Sequence, residues 1–242
     1  MDSEIVTYRP SGQLGGVWNA VHMTSVRAII FDLDGVLLDS ETLWDEVRRD
    51  LAARAGRPWP ATATRAMQGM STAEWSGYLA SEVGVPGTPE QLAGQVIAAM
   101  ADRYRDTLPL IPGAVETVAR LADRWTLGLA SSSPRRLIDT VLTASGMADR
   151  FAVTVSTEEV EAGKPSPAVY LETTRQLGTP PAATVAIEDS SNGLRSAHAA
   201  GLLVVAVPHA DFPPAADALA LATAQAAGLA ELTGTFIDGL AG

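Results

Sequence analysis

The chain contains no cysteine, so it forms neither disulfides nor thiolate metal sites. Positive charge is scarce. Against 28 Asp and Glu stand 17 Lys and Arg, and the net charge of -11 repels the phosphates of nucleic acid. Lysine is almost missing, since Lys164 is the only one in 242 residues. The three histidines, His22, His198 and His209, show no metal-ligand spacing. No apolar run approaches the ~20 residues of a membrane span, and residues 1–22 carry no signal-peptide pattern. These absences lead us to expect a cytoplasmic protein with no nucleic-acid or membrane partner. Residues 1–22 read as a disordered N-terminal extension, appended or the product of an early start, with Met23 as the natural beginning.

The apolar share is 47%, enough for one large domain or two unequal lobes. Val26 to Phe31 is a continuous, β-branched run, as in a strand buried on both faces. Leu43, Trp44, Val47 and Leu51 then recur at helical spacing. Ser71 with Glu74 forms a capping box before a helix that stops near Gly84. Thr88, Pro89 and Gln91 start another, running through Tyr104. After Pro112 the pattern alternates. Strands are predicted over 126–130, 152–155, 184–187 and 203–207, each preceded by a helix or followed by one. The alanine-rich stretch from Ala215 to Ala230 reads as a surface helix.

Repeated strand–helix units imply an α/β fold, a three-layer Rossmann-like parallel sheet core with an inserted α-helical domain. The core is expected over 23–38 and 109–242, with the insert over 39–108.

In such sheets ligands bind beyond the carboxyl ends of the strands. Four polar groups fall there: Asp32 and Asp34, then Ser131, Ser132 and Ser133, then Lys164 in AGKPSP, then Glu188 and Asp189. Singly, the serines are explained by helix capping, Ser133 before Pro134 and Ser166 before Pro167. Together on one edge they suggest a phosphate site at helix N-termini. The paired aspartates need compensation, because two charges ~4 Å apart repel by about 4 kcal/mol at an effective dielectric near 20. Lysine in a chain that otherwise uses arginine suggests a compact point charge among several oxygens. A calcium loop starting at Ile30 fails, because a strand precedes it where a helix is required.

With these groups in place, the sequence resembles the haloacid dehalogenase superfamily over nearly all of residues 26–232. FDLDGVLLDS (31–40) looks like its first motif, ASS (130–132) its second, GKPSP (163–167) its third and IEDSSNG (187–193) its fourth. The insert resembles the family's small α-helical cap, and the nearest look is to the branch of sugar phosphatases and β-phosphoglucomutase-like enzymes.

The resemblance implies that Asp32 is the nucleophile, forming an aspartyl phosphate, and that Asp34 is the general acid and base. It implies Mg2+ held by Asp32, the Asp34 carbonyl, Glu188 and Asp189. Ser131, Ser132 and Lys164 would hold phosphate. The implied substrate is a small phosphorylated metabolite, such as a sugar phosphate, and the implied assembly a monomer or weak homo-oligomer.

Within the family, Asp34 argues against haloalkanoate dehalogenation. Mutases of this branch place a histidine where this chain has Trp44, and an arginine near Thr72. A phosphatase is therefore expected, with a phosphosugar mutase as the alternative, since Arg48, Arg49, Arg54, Arg57 or Arg65 could serve as the missing basic residue. Trp44, Gln68, Met70 and Trp75 are candidates for contact with the leaving group. Trp75 is expected to pack inside the insert, and Trp44 to meet substrate.

Overall fold

The computed structural model describes residues 25–67, 70–210 and 212–241. The proposed extension over 1–22, Met23 and Gln68 lie outside the described residues. Strand β1 (Ala28–Phe31) is followed by helices α1 (Glu41–Arg54), α2 (Ala63–Met67), α3 (Thr72–Ser81), α4 (Pro89–Asp106) and α5 (Ala114–Ala122). The chain then alternates through β2 (Thr126–Ser131), α6 (Arg135–Ser145), β3 (Val153–Ser156), α7 (Ala168–Leu177), β4 (Thr184–Glu188), α8 (Ser191–Ala199) and β5 (Leu203–Ala206). It closes with α9 (Ala216–Leu219), β6 (Ala224–Gln225) and α10 (Gly234–Asp238).

All the strand pairings are parallel, in the order β3-β2-β1-β4-β5-β6. The order reverses between β1 and β4, and a crevice opens at such a switch point outside the carboxyl ends. Side chains of β1 divide between two cores, as a pleated strand requires. Ile29 and Phe31 join Val118, Leu121, Leu137 and Ile138 on one face. Ile30 joins Val169, Tyr170, Leu194 and Ala197 on the other. This is the expected three-layer α/β arrangement.

The capping box predicted at Ser71 forms, and the helix start predicted at Thr88 carries a second one. Glu74 accepts the Ser71 N–H at 2.8 Å. Thr88 and Gln91 exchange bonds of 3.0 and 3.3 Å. The segments leading out to α1 and back from α4 run side by side: Asp39 N donates to Pro109 O at 2.8 Å, and Ile111 N to Leu37 O at 2.9 Å. Two expectations are corrected. The alanine-rich stretch is not one helix, but a four-residue helix followed by β6, which pairs with β5. An open sheet edge supplies backbone partners that outweigh alanine's helix preference. Ser133 does not cap α6, which starts from Pro134 without a side-chain cap, because its hydroxyl bonds elsewhere.

Candidate active site

Asp32 leaves β1 at the switch point, its N–H bonded to Ile187 O of β4 at 3.0 Å. That pairing sets it beside Glu188, the last residue of β4, and Asp189. A tight turn follows, with Gly35 N donating to Leu38 O at 2.7 Å. Gly35 has φ +83°, and a Cβ there would fall 1.9 Å from Asp189 Oδ2. Its missing side chain lets the two acidic segments meet. Gly193 does the same for Glu188, whose carboxyl oxygen would lie 1.9 Å from an added Cβ.

Lys164 is 3% exposed and reaches into this cluster. Its Nζ donates to Asp32 Oδ1 at 2.9 Å, Glu188 Oε1 at 2.5 Å and Ala130 O at 3.0 Å. Burial opposes its charge, but Asp32 and Glu188 outweigh burial and hold the ammonium above its ordinary pKa. Burial pushes Asp32 up to about 8, with Lys164 pulling it down and Glu188 and Asp34 adding to the rise. Asp189 is raised for the same leading reason, then by Glu188 and Asp32. One ammonium is too little positive charge for this many buried acids.

Asp32, Glu188 and Asp189 each offer an oxygen, and the three lie within 4.8 Å of one another. Asp189 Oδ1 is buried with no hydrogen-bond partner among the described residues. An orphaned buried carboxylate oxygen is costly. An all-oxygen set of this kind fits a hard divalent cation. Glu188 is the most committed member: beyond Lys164 it accepts from Tyr170 Oη at 2.7 Å and Ser190 Oγ at 3.2 Å.

Asp34 faces the helical insert. Its Oδ1 accepts from Ser40 Oγ and, at 3.4 Å, from Trp44 Nε1; its Oδ2 accepts from Ser133 Oγ at 2.5 Å. The cavity above Asp32 and Asp34 is walled by Ser132, Ser133, Lys164 and Asp189 from the core side. Glu41, Trp44, Arg48, Met67, Met70 and Trp75 wall it from the insert. Its volume is only about 50 Å³.

Of the residues singled out in the sequence, Asp32, Asp34, Trp44, Ser132, Lys164 and Asp189 border this cavity. Glu188 lies beneath it, fully buried. Ser131 is also fully buried and accepts the Ser133 N–H at 3.0 Å, so it supports the serine loop from behind. Met70 and Trp75 border the cavity, Trp75 being at the same time 2% exposed.

Sequence reasoning missed the side-chain roles of Ser40 and Ser133 toward Asp34, of Tyr170 toward Glu188, and the cavity position of Glu41, and it named Arg48 only as one of five arginines of the insert. Arg48 did leave a signal. It shares the Trp44, Val47, Ala52 face of α1, where an arginine interrupts an apolar stripe.

A family model for haloacid dehalogenase-like hydrolases matches residues 26–201. Hexitol phosphatase B of Escherichia coli K12 is 34% identical over 222 residues, covering 86% of this chain and 95% of that protein. A phosphorylated carbohydrates phosphatase of Thermotoga maritima is 30% identical over 73% of this chain and 82% of its own length. The β-phosphoglucomutase structure from Clostridium difficile superposes with a TM-score of 0.77 at 21% identity, over 89% of this chain and 97% of that one, which shows a shared fold.

Proposed function

This chain belongs to the haloacid dehalogenase-like hydrolases, and we propose that it is a Mg2+-dependent phosphomonoesterase acting on a small sugar or polyol phosphate. The reading is carried by one observation: Asp32, Asp34, Lys164 and Asp189 face a single cavity at the switch point.

In this reading an Asp32 carboxylate oxygen attacks phosphorus, and the bond from phosphorus to the alcohol oxygen breaks. Asp34, held by Ser40, Trp44 and Ser133, gives that oxygen its proton. It then takes a proton from the water that attacks the aspartyl phosphate, releasing Asp32 and inorganic phosphate. Dividing the hydrolysis in this way replaces one difficult step with two easier ones. Lys164 keeps Asp32 oriented and meets phosphate charge, and the Ser131–Ser133 loop meets the remaining oxygens. Asp32, Asp189, Glu188 and the Asp34 carbonyl would hold Mg2+, which when bound supplies positive charge against the phosphoryl oxygens.

The residues over 39–108 act as the cap. A cavity of about 50 Å³ holds a few waters but not a sugar phosphate. The insert therefore swings away at the paired linkers, Asp39 with Pro109 and Leu37 with Ile111, and closes again to exclude water. Trp44 favours hydrolysis over mutase chemistry. It stands beside Asp34 as an indole, a donor that cannot accept a proton.

The test is phosphate release from a panel of hexose and hexitol phosphates and an aryl phosphate. Release is expected with Mg2+, and is lost with chelator or in Asp32→Asn. An inert protein across the panel overturns the reading. Conversion of a hexose 1-phosphate into the 6-phosphate without net release decides for a mutase.

A further inference from the structure

Arg48 is 7% exposed, whereas Arg49, Arg54, Arg57 and Arg65 on the same insert are exposed. Its guanidinium carbon lies 4.9 Å from the Trp44 ring centroid and 5.1 Å from that of Trp75. The two rings are 5.9 Å apart and pack on each other, so the guanidinium lies over both. Its Nε is buried without a partner, and no described residue accepts a hydrogen bond from the group. Burial draws its pKa down to about 10, with Glu41, Asp45 and Asp34 opposing the fall, so it stays charged at neutral pH. Asp45 is already engaged by Arg49 and Thr64. Glu41 borders the same cavity and accepts no hydrogen bond from a described side chain. A fixed donor fork and a free acceptor thus face the place where the alcohol portion of a phosphate ester sits.

The charges on this wall decide what it takes. Arg48 is countered by Glu41 and Asp34, and Lys164 is turned toward Asp32 and Glu188. A second phosphate or a carboxylate would meet one cation already balanced, with acids beside it. Hydroxyl groups suit the wall better, because each can accept from the guanidinium and donate to Glu41. Resting on the phosphatase reading above, we propose that Arg48, seated over the Trp44 and Trp75 rings and paired with Glu41, is the specificity-determining residue that selects an uncharged polyol or sugar leaving group.

The experiment compares kcat/KM for a hexitol 6-phosphate, a sugar bisphosphate and p-nitrophenyl phosphate in wild type, Arg48→Met and Arg48→Lys. Wild type is expected to prefer the hexitol phosphate over the bisphosphate at least tenfold. In Arg48→Met the ratio of hexitol to aryl phosphate activity falls about 30- to 100-fold, the loss typical of charge-assisted hydrogen bonds. Arg48→Lys recovers part of the ratio, because an ammonium lacks the planar fork. A variant that folds poorly loses both activities by one factor and leaves the ratio in place, so a ratio within threefold of wild type overturns the inference. A wild-type preference for the bisphosphate that disappears in Arg48→Met also overturns it, and makes Arg48 an anion clamp. Wild type inert toward all three compounds overturns the phosphatase reading itself, and this inference with it.

Discussion

Replacing Lys164 with methionine tests the charge balance on which the site rests. The ammonium makes hydrogen bonds of 2.9 Å to Asp32, 2.5 Å to Glu188 and 3.0 Å to Ala130 O, at 3% exposure. Methionine fills a similar volume but leaves two buried acids facing each other and a carbonyl without its donor. Removing one partner of a buried ion pair costs about 3–5 kcal/mol. At 2–4 °C per kcal/mol for a chain of this size, Tm falls by roughly 6–20 °C in chelator, where no metal can compensate. The deficit depends on pH. Burial already pushes Asp32 up to about 8, and Lys164 is what pulls it down, so its removal raises the group further. A carboxyl raised above its unfolded value near 3.9 binds more protons in the folded chain, so stability falls as pH rises through that window. Wild type and variant share that slope up to about pH 8, where the wild-type group ionises, and the gap between them widens above it until the variant's group ionises too. Thermal melts of wild type and Lys164→Met with chelator at pH 7 and pH 9.5 measure it, and the gap should widen at pH 9.5. A Tm within 2 °C of wild type at pH 9.5 would refute the idea that this lysine is the counter-charge.

Two other outcomes follow from the geometry. Gly35→Ala places a Cβ 1.9 Å from Asp189 Oδ2 at a backbone φ of +83°, so Asp189 must shift. The Mg2+ concentration for half-maximal activity should rise at least tenfold, and an unchanged titration would show that Asp189 is not a ligand. Arg135 ties the start of α6 to β3 and its following turn, donating to Thr154 O and to both Glu159 oxygens at 2.7 Å. Arg135→Ala should cost about 1 kcal/mol in urea denaturation at neutral pH, discounted for the exposure of the pair. The hydrogen bond from Arg135 holds the Glu159 carboxyl below its usual pKa. That contribution is present above the unfolded value near 4.3 and is lost as pH falls through the folded one, so the two stability curves should converge in acid; parallel curves would refute it.

Much of the fold was legible because its signals are local. β1 announces itself as five apolar positions and one arginine over Val26 to Phe31, followed by two aspartates, and the capping boxes at Ser71 and Thr88 mark the starts of α3 and α4. Where sequence reasoning failed, a distant partner had intervened. Ser133 has the right neighbours for a helix cap, yet its hydroxyl bonds Asp34, 99 positions earlier. The alanine-rich stretch has helix propensity, yet Ala224 and Gln225 take β5 as a partner. Tyr170 looks like one more apolar-face residue of α7, and only the adjoining β4 turns its hydroxyl into a donor for Glu188.

Order along the chain, hydrophobic period and turn residues determined that this protein makes a parallel sheet, and that its acids, serines and lysine fall at the carboxyl ends of the strands. Those properties depend on residues a few positions apart. Which of these groups touch was decided by tertiary structure. The parallel register of β1 with β4 brings Asp32 to Glu188, and side-chain packing buries Arg48 against two tryptophans. Hydrogen bonds and desolvation act over ångströms in space, and distance along a chain does not report them.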